Sequence, residues 1–262
     1  MSAPARARVH ATEAIALKRM DFAEADRIIT VFTPGLGKMR VIARGVRRST
    51  SRMAGHLELF AHAHLVLARG RELDVVTQAA TIEPFRDLRE DLARSSQAYH
   101  LAELVDAFLQ DRDENHAVFS LLLSALQALA AGSPVPELVA RHFEVQLLSA
   151  VGFRPQLYAC IACEAEIQAG MNAYSVPLGG VFCPACAGQE PTARAIATDT
   201  LKLLRFLQRT GPVSNIGVAV GTVPLRDAER LLREVLETVL ERRLRAAEFV
   251  HRVAETSAGY RA

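Results

Sequence analysis

The chain has 262 residues, of which 50% are hydrophobic and 23% charged, so it can bury a substantial core and global disorder is excluded. Its net charge of +2 does not by itself indicate a nucleic-acid binder, and a 6% aromatic content without Trp weighs against sugar sites built on aromatic platforms. The charge is unevenly distributed, however. Residues 1–83 hold 13 Lys and Arg against 8 Asp and Glu, whereas the remainder is net −3.

Residues 8–82 have the pattern of short β-strands. The Pro-Gly-Leu-Gly sequence at 34–37 is a turn signal between two apolar, β-branched runs, which predicts a hairpin. The predicted strands are His10–Arg19, Arg27–Thr33, Lys38–Arg44, Leu57–Leu67 and Leu73–Ile82. Strands this short and this closely spaced are typical of a small closed or nearly closed barrel.

From Pro84 onwards, apolar residues recur at the three- and four-residue spacing of helices. Ser133 is the predicted N-cap of the third helix, because Pro follows it closely. The predicted helices are Leu88–Gln110, Ala117–Ala131, Glu137–Ala150, Thr198–Gln208 and Leu225–Val253. The chain is therefore predicted to be an α+β protein with a β-barrel domain (1–83), an all-α domain in two parts (84–155 and 191–262) and an insert (156–190) that holds every cysteine.

The four cysteines, Cys160, Cys163, Cys183 and Cys186, are spaced as two C-x-x-C pairs separated by 19 residues. Two thiolates in one tight turn can both face a single ion, and a second pair completes a tetrahedron, so this spacing predicts a structural zinc site. The alternatives are a redox-active pair or buried free thiols. Four thiolates would close the site and leave no position for a catalytic water. The small number of cysteines, with no secretory signal at the start, indicates a reducing, cytoplasmic location.

A run of basic residues without any carboxylate extends from Lys38 to His56. Strand alternation predicts that Lys38, Arg40 and Arg44 share an outer face with Ile42, and that a flexible basic loop follows. The loop contains the remaining predicted contacts, Arg47, Arg48 and Arg52. Such a surface suits a phosphate backbone, whereas the alternative is an ordinary solvated strand.

Aromatic stacking partners are scarce in this half of the chain. Phe22, Phe32 and Phe60 are the candidates, and each is predicted to lie in the core. Binding is therefore expected to depend on phosphate contacts, with little sequence preference.

No catalytic motif is present in the sequence, which has no phosphate-binding loop, no dinucleotide fingerprint, no H-E-x-x-H and no G-x-S-x-G. An enzyme is therefore the weaker hypothesis, and no catalytic residue is predicted. A second alternative is a zinc-ribbon factor of transcription or translation that contacts nucleic acid through its cysteine knuckles. Residues 160–190 contain no Lys or Arg but three Glu, which weighs against that alternative.

Several segments together resemble the RecO family of bacterial DNA repair and recombination mediators. The hairpin sequences Asp26–Pro34 and Gly37–Gly45 carry the resemblance, as does Leu148–Pro155 leading into the first C-x-x-C. Pro177–Gly180 precedes the second pair, and barrel-like sequence changes to helical sequence near residue 83. The resemblance extends over nearly the whole chain, and the order of its parts is more specific than any one motif.

The resemblance implies an N-terminal OB-fold, a helical domain and a zinc-binding insert in a protein that is not an enzyme. Members of the family bind single- and double-stranded DNA, anneal complementary strands and, with RecR and RecF, help load RecA onto DNA coated by the single-stranded-DNA-binding protein SSB. Lys38, Arg40 and Arg44 fall where the family's barrel carries DNA-contacting cations. The acidic C-terminal tail of SSB is expected to bind an apolar groove with nearby Arg on the helical domain, and the protein is expected to associate with the nucleoid.

Overall fold

The computed structural model of the chain describes residues 9–133, 135–213, 216, 219–246, 250 and 253. The chain divides into two compact units, each made of two segments. We call them the barrel unit (Met1–Asp91 and Ala102–Ala130) and the helical unit (Leu92–Leu101 and Ala131–Ala262). The predicted α+β class is confirmed, since strands dominate the first 83 residues and helices most of the remainder.

The barrel unit is built on five strands, which form a closed barrel in the order β1-β2-β3-β5-β4. The strands are β1 (Val9–Phe22), β2 (Asp26–Thr33), β3 (Gly37–Ala43), β4 (His62–Ala68) and β5 (Asp74–Glu83). Antiparallel pairing of β1 with β4 closes the barrel, while β3 and β5 pair in parallel. The small closed barrel predicted from the strand spacing is confirmed, and its strand order is that of the OB-fold that the resemblance implies.

The barrel core follows from the alternation of side chains along the strands. In β3, Met39, Val41 and Ala43 point inward and are almost completely buried. Ile29 and Val31 of β2 lie opposite them and close the same core. The residues between them point to the outer face of the barrel, so the two sides of this hairpin have separate roles.

The fourth strand begins later than the alternating pattern of Leu57–Leu67 predicts. A short 3-10 helix (Ala54–His56) precedes it, and extended structure starts only at His62. Leu57 and Leu59 are nevertheless buried, because a turn brings them against the core. The odd-numbered apolar positions therefore correctly indicate burial but not strand structure.

The remaining elements are α1 (Arg86–Glu90), α2 (Leu92–Phe108), α3 (His116–Ala130), α4 (Pro136–Ala150), β6 (Asn172–Ser175), β7 (Gly180–Phe182), α5 (Pro184–Ala187), β8 (Ala193–Ile196), α6 (Thr198–Arg209) and α7 (Thr222–Leu240). Among the described residues, none of these helices has the length and apolar character that crossing a bilayer requires. The grouping of α3 with the barrel differs from the division expected from the sequence. Its Phe119 ring packs on Phe32, with centroids 5.7 Å apart, and so covers one end of the outer barrel face.

The helices differ from the sequence-based prediction in three respects. The predicted helix Leu88–Gln110 is divided into α1 and α2 at Asp91, whose backbone is extended. Helix α4 begins at Pro136 with Val135 at the N-cap position and no side-chain cap, so the predicted role of Ser133 is wrong. Helix α7 ends at Leu240, because Glu241 adopts a left-handed conformation with φ of 52°. The chain turns there and buries Leu244, while part of the predicted helix, residues 247–249 and 251–252, lies outside the described residues.

A buried ionic cluster joins α2 to α4 within the helical unit. The Glu144 carboxylate accepts a hydrogen bond from the Arg141 guanidinium at 2.7 Å and lies 2.6 Å from Nε2 of His100. Burial alone would raise the pKa of Glu144, but the charge of Arg141 and the bond to His100 hold that pKa below its ordinary value. The Arg141 charge makes the burial of Glu144 tolerable, and the hydrogen bond between His100 and Glu144 links α2 to α4.

We predict that Gly37→Ala destabilises the barrel unit by about 3 kcal/mol. Gly37 has a φ of +65°, and a Cβ there would lie 2.2 Å from the backbone oxygen of Asp113. Gly35, in the same turn, has no atom within 4 Å of its corresponding position, so Gly35→Ala is the matched control. Urea unfolding of both variants measures the difference, and equal stabilities would contradict the close approach of residue 113.

Candidate metal centre and nucleic-acid interface

The four cysteines meet because two short turns are held together by backbone hydrogen bonds. In the first turn the Glu164 N–H donates to the Cys160 carbonyl at 2.9 Å. The second turn follows β7 directly and opens α5, with the Cys186 N–H donating to the Cys183 carbonyl at 3.0 Å. The Ile161 N–H donates to the carbonyl of Val181 at 3.0 Å and ties the two turns to each other.

The sulfur atoms have the geometry of a tetrahedral metal centre. All four lie within 4.8 Å of one another, and the Sγ atoms of Cys163 and Cys183 are 3.8 Å apart. A zinc ion with Zn–S bonds of about 2.3 Å sets its sulfurs about 3.8 Å apart, the edge of the tetrahedron. The cluster could therefore hold a metal ion, and its ligand set and spacing are consistent with zinc.

The thiols differ in their readiness to ionise. Burial would raise the pKa of Cys160, but the backbone N–H groups of Cys183, Cys163 and Ala162 face its sulfur and bring the pKa to about 6. Hydrogen bonding to Cys163 and then to Cys183 raises the pKa of Cys186 to about 12. The Cys160 thiolate therefore forms readily while the Cys186 thiol resists ionisation, and a bound dication would favour the thiolate form of its ligands.

The segment that bears the cysteines is fixed to α6. The Arg205 guanidinium donates to the carbonyl of Leu157 at 2.7 and 2.9 Å and to that of Ile167 at 2.9 Å. Gln208 donates to the carbonyl of Pro155 at 2.9 Å. A metal bound by the four cysteines would cross-link a segment that Arg205 and Gln208 of α6 already hold in place. Such an arrangement suits an architectural role.

The structure overturns the expectation that the Lys38 side chain lies exposed beside Arg40 and Arg44. Lys38 is only 8% exposed. Its Nζ donates to the backbone oxygen of Asp106 at 2.6 Å and forms ion pairs with the carboxylates of Asp106, at 3.1 Å, and Asp111, at 3.5 Å.

The reason is the connection between α2 and α3, which lies over the turn end of the β2–β3 hairpin. The Arg112 N–H donates to the Lys38 carbonyl at 2.7 Å, and the Arg112 guanidinium pairs with the buried Asp74 at 3.1 Å. Lys38 does point to the outer face, as alternation requires, but that part of the face is covered. This contact joins residues 68 or more apart in sequence, which strand periodicity cannot reveal.

Arg40 and Arg44 lie on the open part of the same face. Both side chains are exposed, and within the described part of the chain neither forms an ion pair. Ile42 lies between them and is half-buried. The predicted alternation is thus confirmed for this end of β3.

The first residues of the loop after β3 are anchored to the barrel, where we expected a flexible arm. Val46 is buried in the barrel core, and the Gly45 N–H donates to the Asp26 carboxylate at 2.7 Å. Arg47 pairs with Asp21 at 3.4 Å, whereas Arg48 and Arg52 are exposed. For these last two, the described residues offer no carboxylate within ion-pair distance.

Sequence reasoning missed Lys18 as a member of this surface. Lys18 lies directly opposite Thr30 on β2, and Thr30 lies opposite Arg40 on β3, so the three side chains form one row across the outer face. Lys18 is exposed. Only the strand register reveals this row, because 22 positions of sequence separate the two cations.

Comparison with known proteins identifies the family. Residues 8–85 match the family model described as "Recombination protein O N terminal", and residues 89–248 match "Recombination protein O C terminal". The chain belongs to the RecO family. A "DNA repair protein RecO" from Roseiflexus sp. (strain RS-1) is 44% identical over 95% of this chain and 88% of the relative.

Other relatives extend the same match. Proteins named "DNA repair protein RecO" are 36% identical in Dehalococcoides mccartyi (strain BAV1), over 90% of this chain and 92% of the relative, and 34% identical in Desulforamulus reducens, over 96% and 98%. Membership of the RecO family supports a role in recombinational DNA repair for this chain.

We predict that Lys38→Ala lowers the free energy of unfolding by about 2 kcal/mol, because it leaves two neighbouring carboxylates without their cation. The partial exposure of Asp106 and Asp111, at 38% and 68% of their side chains, limits the cost. Arg40→Ala, from the open part of the same face, is the control and should change stability by less than about 0.5 kcal/mol. If Lys38→Ala left stability intact and reduced DNA affinity, Lys38 would be a direct contact.

Proposed function

We propose that this RecO-family chain is a recombination mediator that binds single- and double-stranded DNA without sequence specificity and has no catalytic activity of its own. The supporting observation is a group of exposed cations on the barrel unit, among them Arg40, Arg44, Arg48 and Arg52, that form no ion pair with the residues the structure describes. Guanidinium groups that no carboxylate neutralises remain available for phosphates, and each contact releases a condensed counterion.

In this proposal the exposed arginines of the barrel contact the sugar-phosphate backbone of DNA. Backbone contacts hold a strand without reading its bases, so either of two complementary strands can be bound. When Arg side chains neutralise phosphates, the repulsion between two strands decreases and annealing becomes easier. This step needs no nucleotide hydrolysis, in agreement with a sequence that lacks a phosphate-binding loop. In this proposal Lys38 acts indirectly, by fixing the hairpin that presents Arg40.

We further propose that RecR, with RecF where it takes part, and SSB are the protein partners, and that together they promote RecA loading at the nucleoid in the cytoplasm. In the helical unit, a cavity of about 610 Å³ has apolar walls that include Phe206, Val220 and Val223. Lys202 and Asp199 also line it, and they form an exposed ion pair at 3.4 Å. Because an exposed pair of this kind is weak, Lys202 can exchange Asp199 for a carboxylate of the acidic SSB tail expected from the resemblance.

We propose that the metal at Cys160, Cys163, Cys183 and Cys186 is zinc and that it is structural. These four thiolates would fill the coordination sphere, so the ion would supply cross-linking and no open position for substrate. The segment between the first and last cysteine offers carboxylates and no cation, which makes it a poor surface for a polyanion.

Zinc loss should lower the stability of the helical unit. We predict that Cys160→Ser loses the bound zinc, measured by elemental analysis, and lowers the thermal midpoint by several degrees, about the shift expected for a loss of 2 kcal/mol or more. Ala162→Ser, in the same turn, keeps all four sulfurs and is the control. A midpoint that stays constant after chelation has removed the metal would contradict the structural role.

The barrel surface is tested by reversing its charge. We predict that Arg40→Glu combined with Arg44→Glu abolishes measurable binding of labelled DNA at near-physiological salt while the protein remains folded, because two phosphate contacts become repulsive. Arg226→Glu with Arg230→Glu on α7 makes the same change in net charge elsewhere and should leave most of the affinity. Equal losses in both double variants would refute a localised site on the barrel.

A further inference from the structure

The outer face of the barrel also presents two large apolar side chains to solvent. Met20 is 49% exposed and Phe22 is 46% exposed, both near the end of β1. They are two positions apart, so they lie on the same face of the strand. The expectation that Phe22 belongs to the core is therefore wrong, whereas Phe32 and Phe60 are buried as predicted.

The strand register places these side chains among the unpaired cations. Met20 lies opposite Ile28, and Ile28 lies opposite Ile42, the residue between Arg40 and Arg44. The adjacent row holds Lys18 and Arg40. Met20, Ile28 and Ile42 thus form an apolar row across three strands, in which Ile28 is buried and Ile42 half-buried, with cations beside it. Singly exposed apolar residues are ordinary, but the exposed neighbours Met20 and Phe22, beside exposed guanidinium groups, indicate a binding surface.

The one carboxylate opposite Phe22 is already engaged. Asp26 faces Phe22 in the register and accepts the Gly45 N–H at 2.7 Å. Its negative charge is therefore partly satisfied by the backbone, while Arg44 immediately precedes that glycine. The balance of charge on the open face remains positive and complements a polyanion.

We propose that Phe22, with Met20 beside it, is a stacking platform for the bases of single-stranded DNA and makes this surface prefer single strands to duplex. The inference rests on the proposed DNA-binding function and specifies its substrate class. A single strand can turn its bases onto an aromatic ring while its phosphates contact Lys18 and Arg40. In a duplex the faces of the bases are stacked on one another, so only the phosphate contacts remain.

The absence of tryptophan from the chain allows a direct test of stacking. Phe22→Trp introduces a single tryptophan at the proposed platform, and Ile82→Trp introduces one at another exposed position, 44% exposed, on β5. Addition of an oligothymidylate should quench the fluorescence of Phe22→Trp strongly and that of Ile82→Trp weakly. A blunt duplex of the same length, bound at saturation, should quench neither strongly.

Affinity provides the second measurement. Phe22→Ala should weaken binding of the oligothymidylate about tenfold and that of the duplex less than twofold, with the salt dependence of both unchanged because no phosphate contact is lost. Ile82→Ala is the matched control and should alter neither affinity.

The outcomes separate the two proposals. If the wild-type chain binds neither DNA, the proposed function fails and the inference fails with it. If the wild type binds DNA, but Phe22→Ala binds both forms as tightly or loses both equally, the stacking platform alone is overturned. Circular dichroism of Phe22→Ala checks that the barrel is intact, and a variant that unfolded would place Phe22 in the core and also overturn the proposal.

Discussion

Burial of Lys38 divides the outer face of the barrel into a structural part and an open part. Its ammonium group is enclosed by Asp106 and Asp111 and by a backbone carbonyl, so the connection between α2 and α3 is held against the hairpin. A buried cation requires such partners, because its desolvation is otherwise prohibitive. The same contact leaves Arg40 and Arg44, further along the strand, facing solvent. The position of the proposed DNA surface therefore depends on how far the connection between α2 and α3 extends over the outer face of the barrel.

Charge and metal are separated along the chain. The cations of the proposed DNA surface belong to the barrel unit, whereas the cysteine cluster lies in a segment without Lys or Arg in the helical unit. A four-sulfur metal site must exclude water from the ion. A basic surface that binds the phosphates of DNA must stay open to solvent, because binding there releases counterions. This separation supports an architectural metal and a DNA surface that does not involve it. It also disfavours the alternative in which the knuckles themselves contact nucleic acid.

Much of the site was accessible from local pattern. The C-x-x-C pairs predicted the cysteine cluster because a tight turn by itself fixes the relative positions of Cys160 and Cys163. Alternation along β3 correctly separated Met39 and Val41 from Arg40. Lys18 was not recognised, and Phe22 was wrongly assigned to the core, because their positions beside β3 follow only from the pairing of the strands. The loop at 45–52 was also misjudged, since composition does not show that Val46 enters the core.

The sequence alone determined the succession of the five barrel strands and the main helices, the cysteine spacing and the excess of positive charge in the barrel, because each depends on periodicity or on residues close together in the chain. It did not reveal the short strands β6, β7 and β8, which lie in or beside the cysteine-bearing segment. Tertiary structure decided which cations remain free, which aromatic ring stays exposed and where helix α7 ends. Those properties depend on contacts between residues far apart in sequence, such as Lys38 with Asp106. Such contacts decide which side chains are covered and which remain accessible to solvent.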